Sequence, residues 1–215
     1  MSRYPPVEVK VWGDFACFTR PEMKVERVSY PLPTPSAARG ILEAIFWKPE
    51  FRWRVREIRV LRPVRWLSIL RNEVKDKASV RTARGWAKDG VGGFVASERR
   101  TQRHTLALRD VAYVISADVE LRGHADAEPA KYRDQFRRRV RQGRCFNQPY
   151  LGCREFSASF AEPDESDRPV SWTEDLGLML YDLVYDDDGR GQPRFFEASV
   201  VDGVLAVPSW EEVST

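Results

Sequence analysis

Residues 51–63, FRWRVREIRVLRP, constrain this chain more than any other stretch. Phe51, Trp53 and Val55 alternate with Arg52, Arg54 and Arg56, and side chains two apart along a strand share a face. The segment therefore predicts a strand with one face for a core and one face of guanidinium groups. Its apolar phase then slips to Ile58 and Val60, the mark of a bulge.

The flanking segments give the order of elements. VEVKVWGDFACF, residues 7–18, alternates and predicts a first strand with Val7, Val9 and Val11 on one face. PTPSAARGILEAIFW opens as a helix, with Thr34 at the N-cap and Pro35 at the first helical position. Ala38, Ile41, Leu42 and Ile45 mark its buried stripe, and Pro49 ends it. Gly40 costs that helix roughly 1 kcal/mol against alanine, which predicts close packing against another backbone there.

A second alternating run covers 65–74, and RDVAYVISADVEL predicts a strand over 109–121. Between them, residues 75–105 are rich in glycine and basic side chains without apolar periodicity. They read as a mobile basic loop or hairpin, and long loops are more often functional than decorative. EPAKYRDQFRRRVRQG predicts a second helix over 128–143, begun near Pro129 and closed by Gly143. The order is strand, helix, strand, strand, loop, strand, helix. It predicts an α+β fold: a ferredoxin-like, RNA-recognition-motif-like domain over 1–145 with an inserted basic loop. Strand-like runs separated by acidic turns make 146–215 a smaller C-terminal antiparallel β-sheet.

Charge divides along the same line. The net charge of +3 hides four basic against 15 acidic residues in 151–215, and 31 basic against 17 acidic in 1–150. Clustered arginine favours nucleic acid, because the planar guanidinium grips phosphate. The second helix concentrates the effect with Lys131 in its first turn and Arg133, Arg137, Arg138, Arg139, Arg141 and Arg144 beyond. A helix N-terminus adds free N–H groups and a positive dipole end. The bland reading is a solvated amphipathic helix held by Tyr132, Phe136 and Val140. The stretch AIFWKPEFRW, residues 44–53, mixes rings and charges. Ile45 and Trp47 are assigned to packing, and Phe46, Lys48, Arg52 and Arg54 to a nucleic-acid face.

Several classes are excluded. The chain has no apolar run of membrane-helix length and no signal-peptide core, so a cytoplasmic protein is expected. Three cysteines without CxxC and two histidines outside any cluster argue against disulfides and a metal site. Neither GxxxxGK[ST] nor GxGxxG nor HExxH occurs, so no cofactor is expected.

VWGDFACF, SYPLPTPSAARGILEAIFWKP, RDVAYVISADVEL, KYRDQFRRRVRQG and QPYLGCREFSASF together resemble the Cas-five family of CRISPR-associated proteins, in its type I-C (Dvulg) subtype. The resemblance spans nearly the whole chain. It implies an endoribonuclease that cuts CRISPR precursor RNA at the base of each repeat hairpin. It also implies retention of the 5′ handle as a subunit of the type I-C Cascade complex, beside its backbone and large subunits. The family's site is a tyrosine at the end of the first helix and a lysine–histidine pair at the start of the second. These positions fall on Phe46, Lys131 and Tyr132 here, so only the lysine matches.

The reaction so implied is attack by the 2′-hydroxyl on the neighbouring phosphate, without metal. Lys131 suits the developing phosphorane charge, Phe46 would stack on a base, and Tyr132 and His104 are the candidates for the proton. Lys48, Arg52, Arg54, Arg133, Arg137, Arg138 and Arg141 form the expected RNA-binding set. The alternative is a non-catalytic subunit that caps the 5′ handle. Duplex DNA is a further expected partner, bound through phosphates alone and weakening steeply with salt.

Overall fold

The computed structural model describes residues 4–76, 79–93 and 95–213. β1 (Val7–Ala16) buries Val7, Val9 and Val11 completely, as its alternation requires. The chain then turns through the short pair β2 (Phe18–Thr19) and β3 (Arg27–Tyr30) into α1 (Pro35–Ile45). Thr34 caps this helix by accepting from the Ala37 N–H at 3.2 Å, and Ala38, Ile41, Leu42 and Ile45 face the core. The expectation for Gly40 fails: a Cβ there would meet nothing within 4 Å, so no neighbouring backbone demands the glycine.

β4 (Phe51–Val60) pairs with β6 and carries its bulge between Val55 and Glu57, where the apolar phase slips. β5 (Trp66–Val74) and the first half of β6 (Arg100–Leu121) form a long two-stranded ribbon. The segment expected as a mobile loop is thus largely ordered. α2 (Val80–Asp89) sits at the ribbon's tip, capped by Ser79 and closed by Gly90 at φ 66°, and a turn of 3₁₀ helix over Ala96–Arg99 leads into β6. Positions 77, 78 and 94 of that stretch lie outside the described residues.

β6 is the spine. Its second half lies between β1 and β4, while α3 (Pro129–Arg141) returns the chain to β7 (Ser159–Ala161) on the far side of β1. The central order is therefore β7-β1-β6-β4, antiparallel at every step, with helical crossovers between β1 and β4 and between β6 and β7. β8 (Glu174–Tyr185), β9 (Gly191–Val201) and β10 (Val204–Ala206) extend this sheet, β10 pairing with β4 and β9 with β8. β8 also reaches back to α1. Arg39 forks onto Asp182 at 2.6 and 2.9 Å, and the Leu180 N–H donates to the Tyr30 hydroxyl at 3.2 Å. The main core cluster joins Val9, Val11, Ile115, Trp53 and Val55 from the sheet with Ile41, Ile45, Phe136 and Val140 from the helices, and a smaller one gathers Cys17, Ala107 and Cys153. Among the described residues no helix is long and apolar enough to cross a membrane.

Candidate nucleic-acid interface and active site

The site is built where β4 begins and β6 ends. Phe51 pairs with Leu121, and the Arg122 N–H donates to the Glu50 carbonyl at 2.8 Å. α3 starts beside this junction, and its first-turn Tyr132 ring lies 5.0 Å from the Phe51 ring. Below lies an aromatic stack: Phe46 at 5.6 Å from Phe51, Phe51 at 5.1 Å from Trp53, and Trp53 at 4.8 Å from Phe136.

That stack corrects the assignment within residues 44–53. Phe46 is 2% exposed and Trp47 48%, the reverse of the expectation. The helix ends at Ile45, and Phe46 already has extended backbone at φ −156°, so the helical period no longer sets which side chain faces the core. The Trp53 Nε1–H donates to the Phe46 carbonyl at 2.9 Å, and the Arg139 guanidinium covers the ring at 5.5 Å. A ring held this way has no face left for a base.

Tyr132 is also buried, and its hydroxyl finds no hydrogen-bond partner among the described residues. Burial pushes this phenol above its ordinary value, with the nearby Glu50 and Asp126 carboxylates acting in the same direction. It therefore stays protonated at neutral pH, a state that suits giving a proton and not accepting one. Lys131 beside it is exposed, its ammonium 5.7 Å from the Tyr132 ring centre. Glu128 at the N-cap makes no side-chain bond to the first turn, so the helix start is left uncapped.

Sequence reading missed Glu50. One of its carboxylate oxygens is buried without a partner, close enough to Tyr132 to perturb the phenol. Nothing local marks it, because its neighbourhood is made by the pairing of Phe51 with Leu121. His104 is placed elsewhere. It pairs with Leu70 in the ribbon, 17 residues before the end of β6, which is roughly 50 Å of extended chain. It shares no site with Lys131.

The basic set divides. Arg52 holds Glu120 through two bonds of 2.8 and 2.9 Å, and Arg141 holds Glu162 at 3.0 Å. Arg133 is only 3% exposed, stacked 5.4 Å over Tyr4, with burial and the neighbouring Arg137 lowering its pKa. It belongs to the packing of α3, not to a ligand face. Arg54 is half-buried along the cleft between β4 and the C-terminal segment, with Tyr181, Trp210 and Glu211. Lys48 and Arg138 are exposed, Arg137 is partly so, and none of the three makes an ion pair among the described residues.

A family model described as CRISPR-associated protein (Cas_Cas5) matches residues 7–208. The chain belongs to this family. Two relatives carry the name CRISPR pre-crRNA endoribonuclease Cas5d. The Thermus thermophilus protein is 47% identical, over 94% of this chain and 91% of its own. The Mannheimia succiniciproducens protein is 45% identical, over 96% and 97%. The fold is shared with a solved CRISPR-associated protein at TM-score 0.72 and 24% identity, covering 100% of this chain and 97% of the other. It is shared equally with a functionally uncharacterized Streptococcus mutans protein at TM-score 0.70 and 21% identity, covering 100% and 98%. Of the three residues expected at the family's site in this Cas5 family member, Lys131 is exposed while Phe46 and Tyr132 are buried.

Proposed function

We propose that this chain is the endoribonuclease of CRISPR precursor RNA, cutting at the base of the repeat hairpin and then holding the 5′ handle as a subunit of a type I-C Cascade. The near-full-length identity to two proteins of that name supports the reading. So does one local observation: a free ammonium, a neutral buried phenol and a partnerless carboxylate oxygen gather at the start of α3.

The chemistry follows from those groups. The 2′-oxygen attacks phosphorus and the P–O5′ bond breaks, leaving a 2′,3′-cyclic phosphate and a 5′-hydroxyl. Glu50 accepts the 2′-hydroxyl proton, and the Tyr132 phenol, covered in the free protein, gives one to the departing 5′-oxygen, which requires that RNA binding uncover its hydroxyl. Lys131 offsets the extra negative charge of the phosphorane. Lys48, Arg137 and Arg138 hold flanking phosphates. The central β7-β1-β6-β4 order with its two helical crossovers supports a ferredoxin-like platform over residues 1–145. Residues 146–215 lend it β7 and then form the acidic extension. The cytoplasm, where the transcript is made, is the proposed compartment.

The test is cleavage of a cognate repeat hairpin in EDTA. Wild type should cut, a 2′-deoxy substitution at the cut site should block, and Lys131→Ala should lose about 10²–10³-fold. The burial of Phe46 favours a second reading, a handle-binding subunit without catalysis. Tight binding of the hairpin with no cleavage would establish it.

A further inference from the structure

The reaction centre leaves a second feature unused. A cleft of about 630 Å³ lies on the other flank of the α1 C-terminus, lined by Glu43, Trp47, Phe146, Asn147, Gln148 and Arg154, with Tyr150 at its rim. Trp47 is 48% exposed, Phe146 77% and Tyr150 41%. Among the described residues none of these rings stacks on another, so their faces stay open.

The backbone that presents them is held firmly. α1 ends with unsatisfied carbonyls, and that of Ala44 accepts from the N–H groups of both Phe146 and Asn147, at 2.9 and 3.0 Å. Gln148, an exposed residue, anchors its amide N–H₂ on the Ala158 carbonyl at 2.8 Å. Tyr150 bridges to Ser157, and the Ala158 N–H donates to the Pro149 carbonyl at 2.9 Å. Gly152, at φ 84°, is pressed so close to the Cys17 carbonyl that a Cβ would lie 2.1 Å from it. Phe146 and Tyr150 are thus exposed on chain tied to its surroundings by backbone hydrogen bonds.

Exposed aromatics interleaved with amides and arginine are the means by which proteins take up unpaired bases. Rings stack on base faces, amides meet base edges, and guanidinium groups meet phosphate. Arg154 lines the cleft, exposed and without an ion pair among the described residues, while the lining carboxylate Glu43 is answered by Arg39 at 3.6 Å. Exposed Lys48 and Arg144 adjoin Trp47 and Phe146 along the chain, so cations are at hand for a phosphate backbone.

We propose that this cleft is a binding site for unpaired nucleobases of the RNA, those adjoining the repeat hairpin, with Trp47 and Phe146 as stacking faces and Asn147 and Gln148 reading edges. The assignment rests on the RNA-processing reading above but uses none of the groups that move protons.

The experiment measures binding of two RNAs, a repeat hairpin with its unpaired flank and the same hairpin trimmed flush, to wild type, Phe146→Ala and Phe146→Tyr. Cleavage of the flanked RNA is followed in parallel. Phe146→Ala should weaken binding of the flanked RNA roughly five- to hundredfold, the range for one lost base stack. It should leave the flush hairpin unaffected, and Phe146→Tyr should restore affinity. A 2-aminopurine placed in the flank should be quenched by wild type and less so by Phe146→Ala. Equal binding of both RNAs by all three proteins would overturn the proposal and return the cleft to a protein partner. Failure of wild type to cut either RNA would overturn the catalytic reading alone, because the flank-dependent binding would still be seen.

Discussion

In the proposed reaction Tyr132 is the residue that supplies a proton. A phenol raised above its ordinary value stays protonated throughout the working range of an enzyme, so it can give a proton but not take one. Its buried hydroxyl without a partner also costs stability. Tyr132→Phe should therefore do two opposite things. Thermal unfolding should move to higher temperature, and single-turnover cleavage should slow by about 10²–10⁴-fold. A purely structural tyrosine would show the first effect without the second. Glu50→Gln is the companion test: it keeps the side chain's shape and removes the proton acceptor, and the same rate loss is expected in single-turnover kinetics.

At the scale of elements, what was legible in the sequence depended on local marks. α1 was readable because Thr34, Pro35 and a stripe of every third and fourth residue agree, and the structure has each in place. The bulge in β4 was readable because side-chain alternation is strict, so a slip has to show. The outer half of β6 was not readable. There the ribbon stands away from the core, Gln102 and His104 face water, and no apolar period is imposed. The ends of α1 and β4 misled for a related reason. The period changes between Ile45 and Phe46, and one residue of phase exchanges Phe46 for Trp47. Lys131 is marked in the sequence both by its place in the first turn of a basic helix and by resemblance, whereas Glu50 becomes visible only through tertiary pairing. Gly152 gives the sharpest test of an element boundary. With a positive φ and the Cys17 carbonyl against it, Gly152→Ala should destabilise by about 1–3 kcal/mol or more, read as a lowered denaturant midpoint.

Over the whole molecule, the arginine count overstates the surface available to RNA. Arg39 is tied to Asp182, Arg52 to Glu120, Arg56 to Asp118, Arg59 to Glu8, Arg62 and Arg65 to Asp110, and Arg71 to Glu155. The guanidinium face of β4, where Arg52 and Arg54 were expected to meet RNA, is therefore largely answered by carboxylates of its neighbouring strands. Lys48, Lys131, Arg137, Arg138, Arg144 and Arg154 stand apart, clustered around the two ends of α3 and the end of α1, with no ion pair among the described residues. Each cation that meets a phosphate releases counterions, about 0.7 per contact on single strands and 0.9 on duplex. Binding of the flanked repeat RNA should thus fall with salt with a log–log slope of about −4 to −5. Lys131→Ala and Arg138→Ala should each make the slope shallower by about one, while Arg52→Gln should leave it unchanged. A wild-type slope of about −8 or steeper would mean that cations beyond these six meet phosphate on binding, either paired arginines that exchange their carboxylates or the exposed Arg81, Arg84 and Lys88 at the ribbon's tip. Arg52→Gln separates the two: a shallower slope would place the RNA on the sheet face, an unchanged one on the ribbon.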